Sequence, residues 1–369
     1  MAILVTGGAG YIGSHCVQQL LAFGHGPVVV YDNFSTGHLD TVQRLLEIAS
    51  GTASAKAPVL YVEQGDVRDE ATLTAVLQQY QVSTVMHLAA ACYVEESVKN
   101  PSFYYDINVI GTHCLLSAMR QAGVRNLIVS SSCAIYGAPH QLPIDESHSQ
   151  NPVNPYGFTK RVVEQMLLDL TRSALNPLRY VSLRYFNAAG ADPQGRIGEC
   201  HEPETHLIPI ILQTIAGDRP SVSVYGSDYE TPDGTCIRDY VHVEDIARAH
   251  RLALDYLEAG GESDVFNIGS EVGYSVLEVI ATCEKVTGLP VPVIRTPRRS
   301  GDPAALVASA KKIRRRLGWQ AQFPDLESTI RTAWQWEQIR RQQSWRAASV
   351  PANAANTPVE TLVVKPQAL

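Results

Sequence analysis

The stretch Ile3-Leu4-Val5-Thr6-Gly7-Gly8-Ala9-Gly10-Tyr11-Ile12-Gly13 decides how this chain is read. An apolar, β-branched run enters a turn made largely of glycine, and an amphipathic stretch leaves it. The turn holds G-x-G-x-x-G at Gly8, Gly10 and Gly13, and G-x-x-G-x-x-G at Gly7, Gly10 and Gly13. Alone, such a pattern is weak. Between a strand and a helix, in the first βαβ unit of a chain, it marks a dinucleotide site. Glycine permits the tight turn and a close backbone approach, and the helix N-terminus aims N–H groups at a pyrophosphate. The run Val28-Val29-Val30-Tyr31-Asp32 then ends in a carboxylate 19 residues after Gly13. A carboxylate there accepts from an adenosine ribose and repels a 2′-phosphate, so NAD is expected rather than NADP. The rival reading of Asp32 is a turn cap. Asp66, at the end of a third strand-like run, either meets the adenine amino group or caps the helix expected near Asp69.

Outward from the turn, short β-branched runs alternate with amphipathic stretches. Strands are expected over 2–6, 28–32, 59–65, 84–89, 125–131 and 179–186, and helices over 11–23, 69–80, 103–122 and 156–173. The strand runs are nearly all apolar, as strands buried on both faces are. The fold class that follows is α/β: a Rossmann-type doubly wound parallel sheet with a smaller α/β C-terminal substrate domain. The small, polar segment 50–58 reads as a loop insertion. The expected division is an NAD-binding domain over 1–187, with a returning strand and helix at about 238–260, and a substrate domain over 188–346. Further helices are expected over 275–287 and 311–317. Residues 347–369, rich in Ala, Pro, Asn and Val without periodicity, read as a mobile tail.

Composition narrows the function. With 369 residues, 45% apolar and 18% charged, the chain has a globular balance. The net charge of −7 argues against a nucleic-acid or membrane-surface binder. No apolar run reaches the ~18 residues of a membrane span, and no signal peptide is expected at the N-terminus. The seven cysteines show no C-x-x-C pattern, which reads as reduced, cytoplasmic usage.

A second constellation carries chemistry. Tyr156-Gly157-Phe158-Thr159-Lys160 puts a phenol and an ammonium on one face of a helix. Upstream, Asn126-Leu127-Ile128-Val129-Ser130-Ser131-Ser132 ends a strand in three hydroxyls. In an open parallel sheet, ligands sit beyond the carboxyl ends of the strands, so Ser132 is expected near the nicotinamide with Tyr156 beside it. A free tyrosine, with a pKa of ~10, is a poor base. A nearby ammonium and a positive nicotinamide favour phenolate, making Tyr156 the general base, with Lys160 also holding the nicotinamide ribose.

Together these stretches resemble the extended short-chain dehydrogenase/reductase superfamily, and more closely the UDP-galactose 4-epimerase family. The resemblance is carried by Val5 to His15, Ser130 to Gly137, Pro155-Tyr156-Gly157, Leu183 to Asn187, Asp233 to Val243 and Pro297 to Asp302. It implies tightly bound, recycled NAD, held by Gly7, Gly10, Tyr11, Ile12, Gly13, Asp32, Asn33, Asp66, Val67, Ala89, Asn108, Ser130, Tyr156 and Lys160. It places Ser132, Asn187, Leu207, Tyr225, Arg238, Tyr240, Arg299 and Asp302 on a UDP-hexose. Arginine suits a diphosphate because its planar fork makes paired charge-assisted bonds. The implied reaction is reversible inversion at C4 through a transient 4-keto sugar, with Tyr156 taking the hydroxyl proton, Ser132 bridging that oxygen and NAD storing the hydride. The resemblance also implies a homodimer pairing helices like 103–122 and 156–173.

There are departures. His206 stands where relatives carry a diphosphate-contacting amide, and still offers one hydrogen bond. Cys92 replaces a lysine found in some relatives. Leu306 stands where some relatives carry a bulky tyrosine beside the sugar, which points to room for N-acetylated substrates. UDP-pentoses and UDP-uronates stay open as substrates. A 4,6-dehydratase needs an acid/base pair after the strand hydroxyls, where this chain has Cys133-Ala134-Ile135. A non-catalytic NAD-binding regulator would not need Ser132, Tyr156 and Lys160. His201-Glu202-Pro203-Glu204-Thr205-His206 has the wrong spacing for a helical H-E-x-x-H site, so no metal is expected.

Overall fold

The protein is described by a computed structural model covering residues 1–51, 59–173, 178–299 and 302–342. The glycine turn joins strand β1 (Ala2–Thr6) to helix α1 (Tyr11–Ala22). The alternation continues through β2 (Val28–Asp32), α2 (Leu39–Gly51), β3 (Leu60–Gln64), α3 (Glu70–Gln79) and β4 (Val82–His87). Next come α4 (Val94–Lys99), α5 (Pro101–Tyr104), a π-helical turn (Tyr105–Ile110) and α6 (Gly111–Ala122). Strand β5 (Asn126–Ser132), helix α7 (Pro155–Thr171) and strand β6 (Arg179–Tyr185) complete the first half. The remainder runs β7 (Asn187–Ala189), α8 (Leu207–Ile215), β8 (Val222–Tyr225), β9 (Ile237–His242), α9 (Val243–Glu258) and β10 (Asp264–Ile268). It ends with β11 (Gly273–Ser275), α10 (Val276–Thr287), β12 (Val293–Thr296), β13 (Ala305–Leu306), α11 (Lys311–Leu317) and α12 (Leu326–Gln342).

Seven strands form one parallel sheet in the order β3-β2-β1-β4-β5-β6-β10. Every residue of β1 and β2 is buried. Helices cover both faces: one core layer includes Val17, Leu20 and Leu21 of α1 with Ile246 and Leu254 of α9, the other Leu73 of α3, Leu115 of α6 and Leu167 of α7. The strand order reverses between β1 and β4, which opens a ligand crevice at their C-terminal ends. A second sheet, β11-β9-β13 with β7 also paired to β9, packs with α8, α10 and α12 around Ile211, Val279 and Ile330. Strands β8 and β12 make a separate parallel pair.

Several expectations need correction. The return expected at about 238–260 is split. Helix α9 packs against α1, but β9 is the centre of the small sheet, and the strand that joins the large one is β10. The reason is Asp239, which a strand covered on both faces by helices would leave without partners. It is fully buried and accepts N–H groups from Ser270, Glu271 and Ala308, all outside the large sheet. The helix expected over 103–122 is present as one continuous helical run that opens two residues earlier at Pro101 and carries the π-helical turn Tyr105–Ile110 between α5 and α6. Helix α2 reaches Gly51 where a loop was expected from 50, and residues 52–58 lie outside the described residues, as does the expected tail over 347–369. Helices α2, α8 and α12 were not read from the sequence at all.

Helix α7 is tied to the adjacent strands β5 and β6 by a buried ion pair and its hydrogen bonds. The Glu164 carboxylate on α7 accepts from the hydroxyls of Ser131 (2.6 Å) and Ser182 (2.8 Å) and from the Arg184 guanidinium (2.5 Å). Both side chains are buried. Glu164→Ala leaves the Arg184 cation buried without its partner, so unfolding free energy in urea is expected to fall by about 3–5 kcal/mol.

Candidate functional site

Gly7 and Gly13 shape the turn. Gly7 sits at φ +71°, and a Cβ there would come within 2.6 Å of the Ala89 amide nitrogen; a Cβ at Gly13 would meet the Gly7 carbonyl oxygen at 2.0 Å. The turn therefore closes against both β4 and its own helix, and any side chain at either position fills the cradle. Gly10 is the N-cap of α1 and Tyr11 and Ile12 open the helix. The Tyr11 hydroxyl donates to the Gly190 carbonyl (2.6 Å), tying the turn to the chain beyond β7.

Asp32 ends β2 beneath this turn. Its carboxylate accepts the Ala9 and Phe34 N–H groups, each at 2.9 Å. Burial raises its pKa, and these two N–H groups oppose the rise. Each oxygen keeps a lone pair, so the turn-cap and ribose readings coexist. Asn33 donates to Asp66 (3.0 Å), and the Arg68 guanidinium bonds Asp66 through Nε (2.8 Å) and Nη2 (2.7 Å). The Arg68 bond holds the Asp66 carboxyl down at about 2. The cap of α3 is Asp69, not Asp66. Val67 is buried, and Ala89 donates its N–H to Thr6 O. Asn108, on the π-helical turn, has its amide taken up by Ala91 and Thr159 inside the protein, so it braces the loop after β4.

Two strands from β1, the end of β5 meets the start of α7. Asn154 caps that helix by accepting Gly157 N–H (2.8 Å), and Pro155 takes its first position. Gly157 lies so close to the loop after β5 that a Cβ would stand 2.4 Å from Ala134 O. That approach sets Tyr156 on the side of α7 facing Ser132 at the end of β5. Lys160, one turn on, is buried; its ammonium donates to Ser130 O (2.9 Å) and lies 5.9 Å from the Tyr156 ring centroid. The Tyr185 hydroxyl donates to Ser130 Oγ. Burial pushes the Tyr156 phenol well above 10, with the Ser132 hydroxyl pulling the other way. Burial also lowers Lys160, to about 8.

The substrate-side residues fall on the smaller elements. Asn187 on β7 is paired in register with Tyr240 on β9, and Leu306 on β13 with Arg238. Arg238 donates to Pro303 O (2.9 Å) and pairs with Asp302 at 3.3 Å. The Arg299 guanidinium lies 3.9 Å over the Tyr225 ring. Leu306 shares an apolar cluster with Cys133, the neighbour of Ser132, and with Phe186, the neighbour of Asn187. The two sheets thus meet where the hydroxyl set and the arginine set adjoin.

His206 is the N-cap residue of α8 and Leu207 its first residue. On a helix, the i, i+5 spacing would keep His201 and His206 off one face. The segment is not helical, and it folds so that Nδ1 of both rings faces the same two carboxylates. His206 Nδ1 lies 2.8 Å from Glu199 and 3.0 Å from Glu204, and His201 Nδ1 lies 3.0 Å from Glu199. Against burial, the glutamates raise both imidazoles, His201 to about 10.

Sequence reasoning missed Gly157, Glu164 and Tyr185. The glycine after Tyr156 was a usable signal, because a helix start seldom needs one. Glu164 and Tyr185 gave none, since only packing shows their partners.

Residues 3–269 match the model of the NAD dependent epimerase/dehydratase family. A UDP-glucose 4-epimerase of Halalkalibacterium halodurans is 50% identical over 336 residues, 91% of this chain and 95% of that relative. The structure of UDP-glucose-4-epimerase from Stenotrophomonas maltophila, with bound NAD and formylated UDP-arabinopyranose, superimposes with a TM-score of 0.87 at 42% identity, covering 93% of this chain and 99% of that one. That of UDP-glucose 4-epimerase from Bifidobacterium longum, in complex with NAD+ and UDP, has a TM-score of 0.86 at 37% identity, covering 92% and 99%. The chain belongs to the NAD dependent epimerase/dehydratase family and, within it, to the UDP-glucose 4-epimerases.

Proposed function

We propose that this chain interconverts UDP-galactose and UDP-glucose by inverting C4, with Tyr156 as general base and NAD as its recycled cofactor. The observation that carries the assignment is the meeting of Ser132, Tyr156 and Lys160 at the C-terminal edge of the sheet, two strands from a turn whose glycines leave a dinucleotide its place. Gly7, Gly10, Tyr11, Ile12, Gly13 and Asp32 would hold NAD's adenosine and pyrophosphate, with Asn33, Asp66 and Val67 toward the adenine. Ala89, Ser130, Tyr156 and Lys160 would hold the nicotinamide half, with Asn108 bracing the loop between. NAD, when bound there, supplies the reversible oxidant and a second positive charge.

The remaining work belongs to side chains. Tyr156 takes the proton from the 4-hydroxyl, and Ser132 polarises that oxygen. The Lys160 ammonium stabilises the phenolate by Coulomb attraction without a metal. Arg238 and Arg299 grip the diphosphate, with His206 offering a further donor. Asn187, Leu207 and Tyr240 line the nucleotide side. Asp302 accepts from the ribose, and the face of Tyr225 opposite Arg299 is assigned to uracil. This is a firm hold on UDP with few charged contacts left for the sugar, which is what a ring that must present both faces requires.

The chain's seven cysteines are unpaired, which supports a reducing, cytoplasmic setting. Phe103, Tyr105 and Ile110 around the π-helical turn, and Phe158 and Leu168 on α7, are exposed apolar side chains on neighbouring helices. Grouped this way they support a homodimer through these helices.

Tyr156→Phe is expected to keep stoichiometric NAD while losing turnover about 10²- to 10⁴-fold, the usual worth of a general base; near-normal turnover would refute the assignment. Lys160→Met removes the cation, so the phenol pKa rises and the ascending limb of the pH–rate profile moves to higher pH; an unmoved limb would exclude Lys160 from this role. Leu306 leaves space beside the sugar, so UDP-N-acetylgalactosamine is expected to turn over alongside UDP-galactose in a direct assay. Light scattering should give a dimer for the native chain and a monomer for Phe158→Glu.

A further inference from the structure

The loop from Glu199 to His206 gathers two imidazoles and two carboxylates, and the chemistry above uses only His206. One donor atom from each of Glu199, His201, Glu204 and His206 lies within 4.8 Å of the other three. Imidazole-to-carboxylate separations are 2.8 and 3.0 Å for His206 and 3.0 and 3.7 Å for His201. Donors at ~2.1 Å from a tetrahedral ion stand about 3.4 Å apart, which these edges bracket. Both carboxylates are buried, their side chains 6% and 3% exposed. Among the described residues their ion pairs are with these two histidines only.

We propose that Glu199, His201, Glu204 and His206 form a four-coordinate site for a divalent first-row transition metal of the zinc class. Two carboxylates and two neutral imidazoles balance a divalent charge, and the two nitrogen donors select against magnesium and calcium. The site is braced as metal sites are by a supporting shell. Glu204 accepts the N–H groups of Thr205 (2.7 Å) and His206 (2.8 Å). The edges of the Tyr11 and Tyr93 rings fix His201, with centroids at 6.2 and 5.8 Å. The loop backbone is pinned from three directions: Trp336 donates to Glu199 O (2.8 Å), Arg219 to Glu204 O (3.1 Å), and His38 bonds Cys200 O at 2.7 Å. With all four positions filled by protein, the ion is structural rather than catalytic. It clamps the start of α8 to the glycine turn through Tyr11.

The test uses the full chain stripped with a chelator and dialysed, then titrated with Zn²⁺ by calorimetry and with Co²⁺ by visible absorption. One Zn²⁺ per chain and the intense bands of four-coordinate cobalt are expected. Glu199→Gln and His206→Asn, each checked for a native-like melting temperature in chelator, should weaken Zn²⁺ binding by about 100-fold or more. His206 is the most exposed member, so its variant guards against loss of folding in the buried one. Lack of stoichiometric uptake by the native chain would overturn the proposal. So would native affinity in both variants, which would place the ion elsewhere on the chain.

Discussion

A lysine ammonium buried beside a half-buried phenol is the arrangement on which this protein depends. Neither charged form is comfortable there: burial lowers Lys160 to about 8 and lifts Tyr156 above its ordinary value. What makes the pair usable is that each form of charge relieves the other. A phenolate next to an ammonium costs far less than either alone in the same place. The Ser130 carbonyl fixes the ammonium at 2.9 Å, so the cation is already in position when a proton must leave the phenol. Catalytic strength of this kind comes from preorganisation, since no dipole has to reorient at the moment of reaction.

Holding that pair in place takes contacts well away from it. Gly157 lets α7 begin against the loop after β5, and Asn154 fixes where the helix starts. Behind it, Glu164 draws α7 onto β5 and β6 through Ser131, Ser182 and Arg184. His87 fills the space behind β4, bonded to Thr6 (2.8 Å) and Thr112 (3.0 Å), and burial holds it neutral, with a pKa near 3. No second cation therefore competes with Lys160 at that point.

The two sheets divide the labour. The large one ends in hydroxyls, a phenol and an ammonium; the small one presents Arg238, Tyr240 and the neighbouring Asp302, and the β8–β12 pair beside it presents Tyr225 under Arg299. They join through the Cys133–Phe186–Leu306 cluster, which is apolar and tight, and through Tyr11 and Tyr93 against His201. A substrate bridging the two regions is gripped at its charged end and left freer at its neutral end. That asymmetry follows from keeping the arginines assigned to the diphosphate, Arg238 and Arg299, away from the large sheet.

The sequence by itself determined the dinucleotide turn, six strands of the large sheet and the Tyr156–Lys160 pair. Those signals are local: a glycine is required where backbone crowds backbone, all-apolar runs mark strands buried on both faces, and a four-residue spacing shares a helix face. Tertiary structure alone decided where β9 and β10 pair, because Asp239 is satisfied by residues 31 and 69 positions away. It alone placed a π-helical turn inside the helix over 103–122, and it alone turned His201 and His206 toward the same carboxylates. Helical periodicity had argued against that meeting, but the segment is a loop, and a loop's path is set by what pins it. Here Trp336, Arg219 and His38 do so, and no spacing rule along the chain encodes such distant anchors.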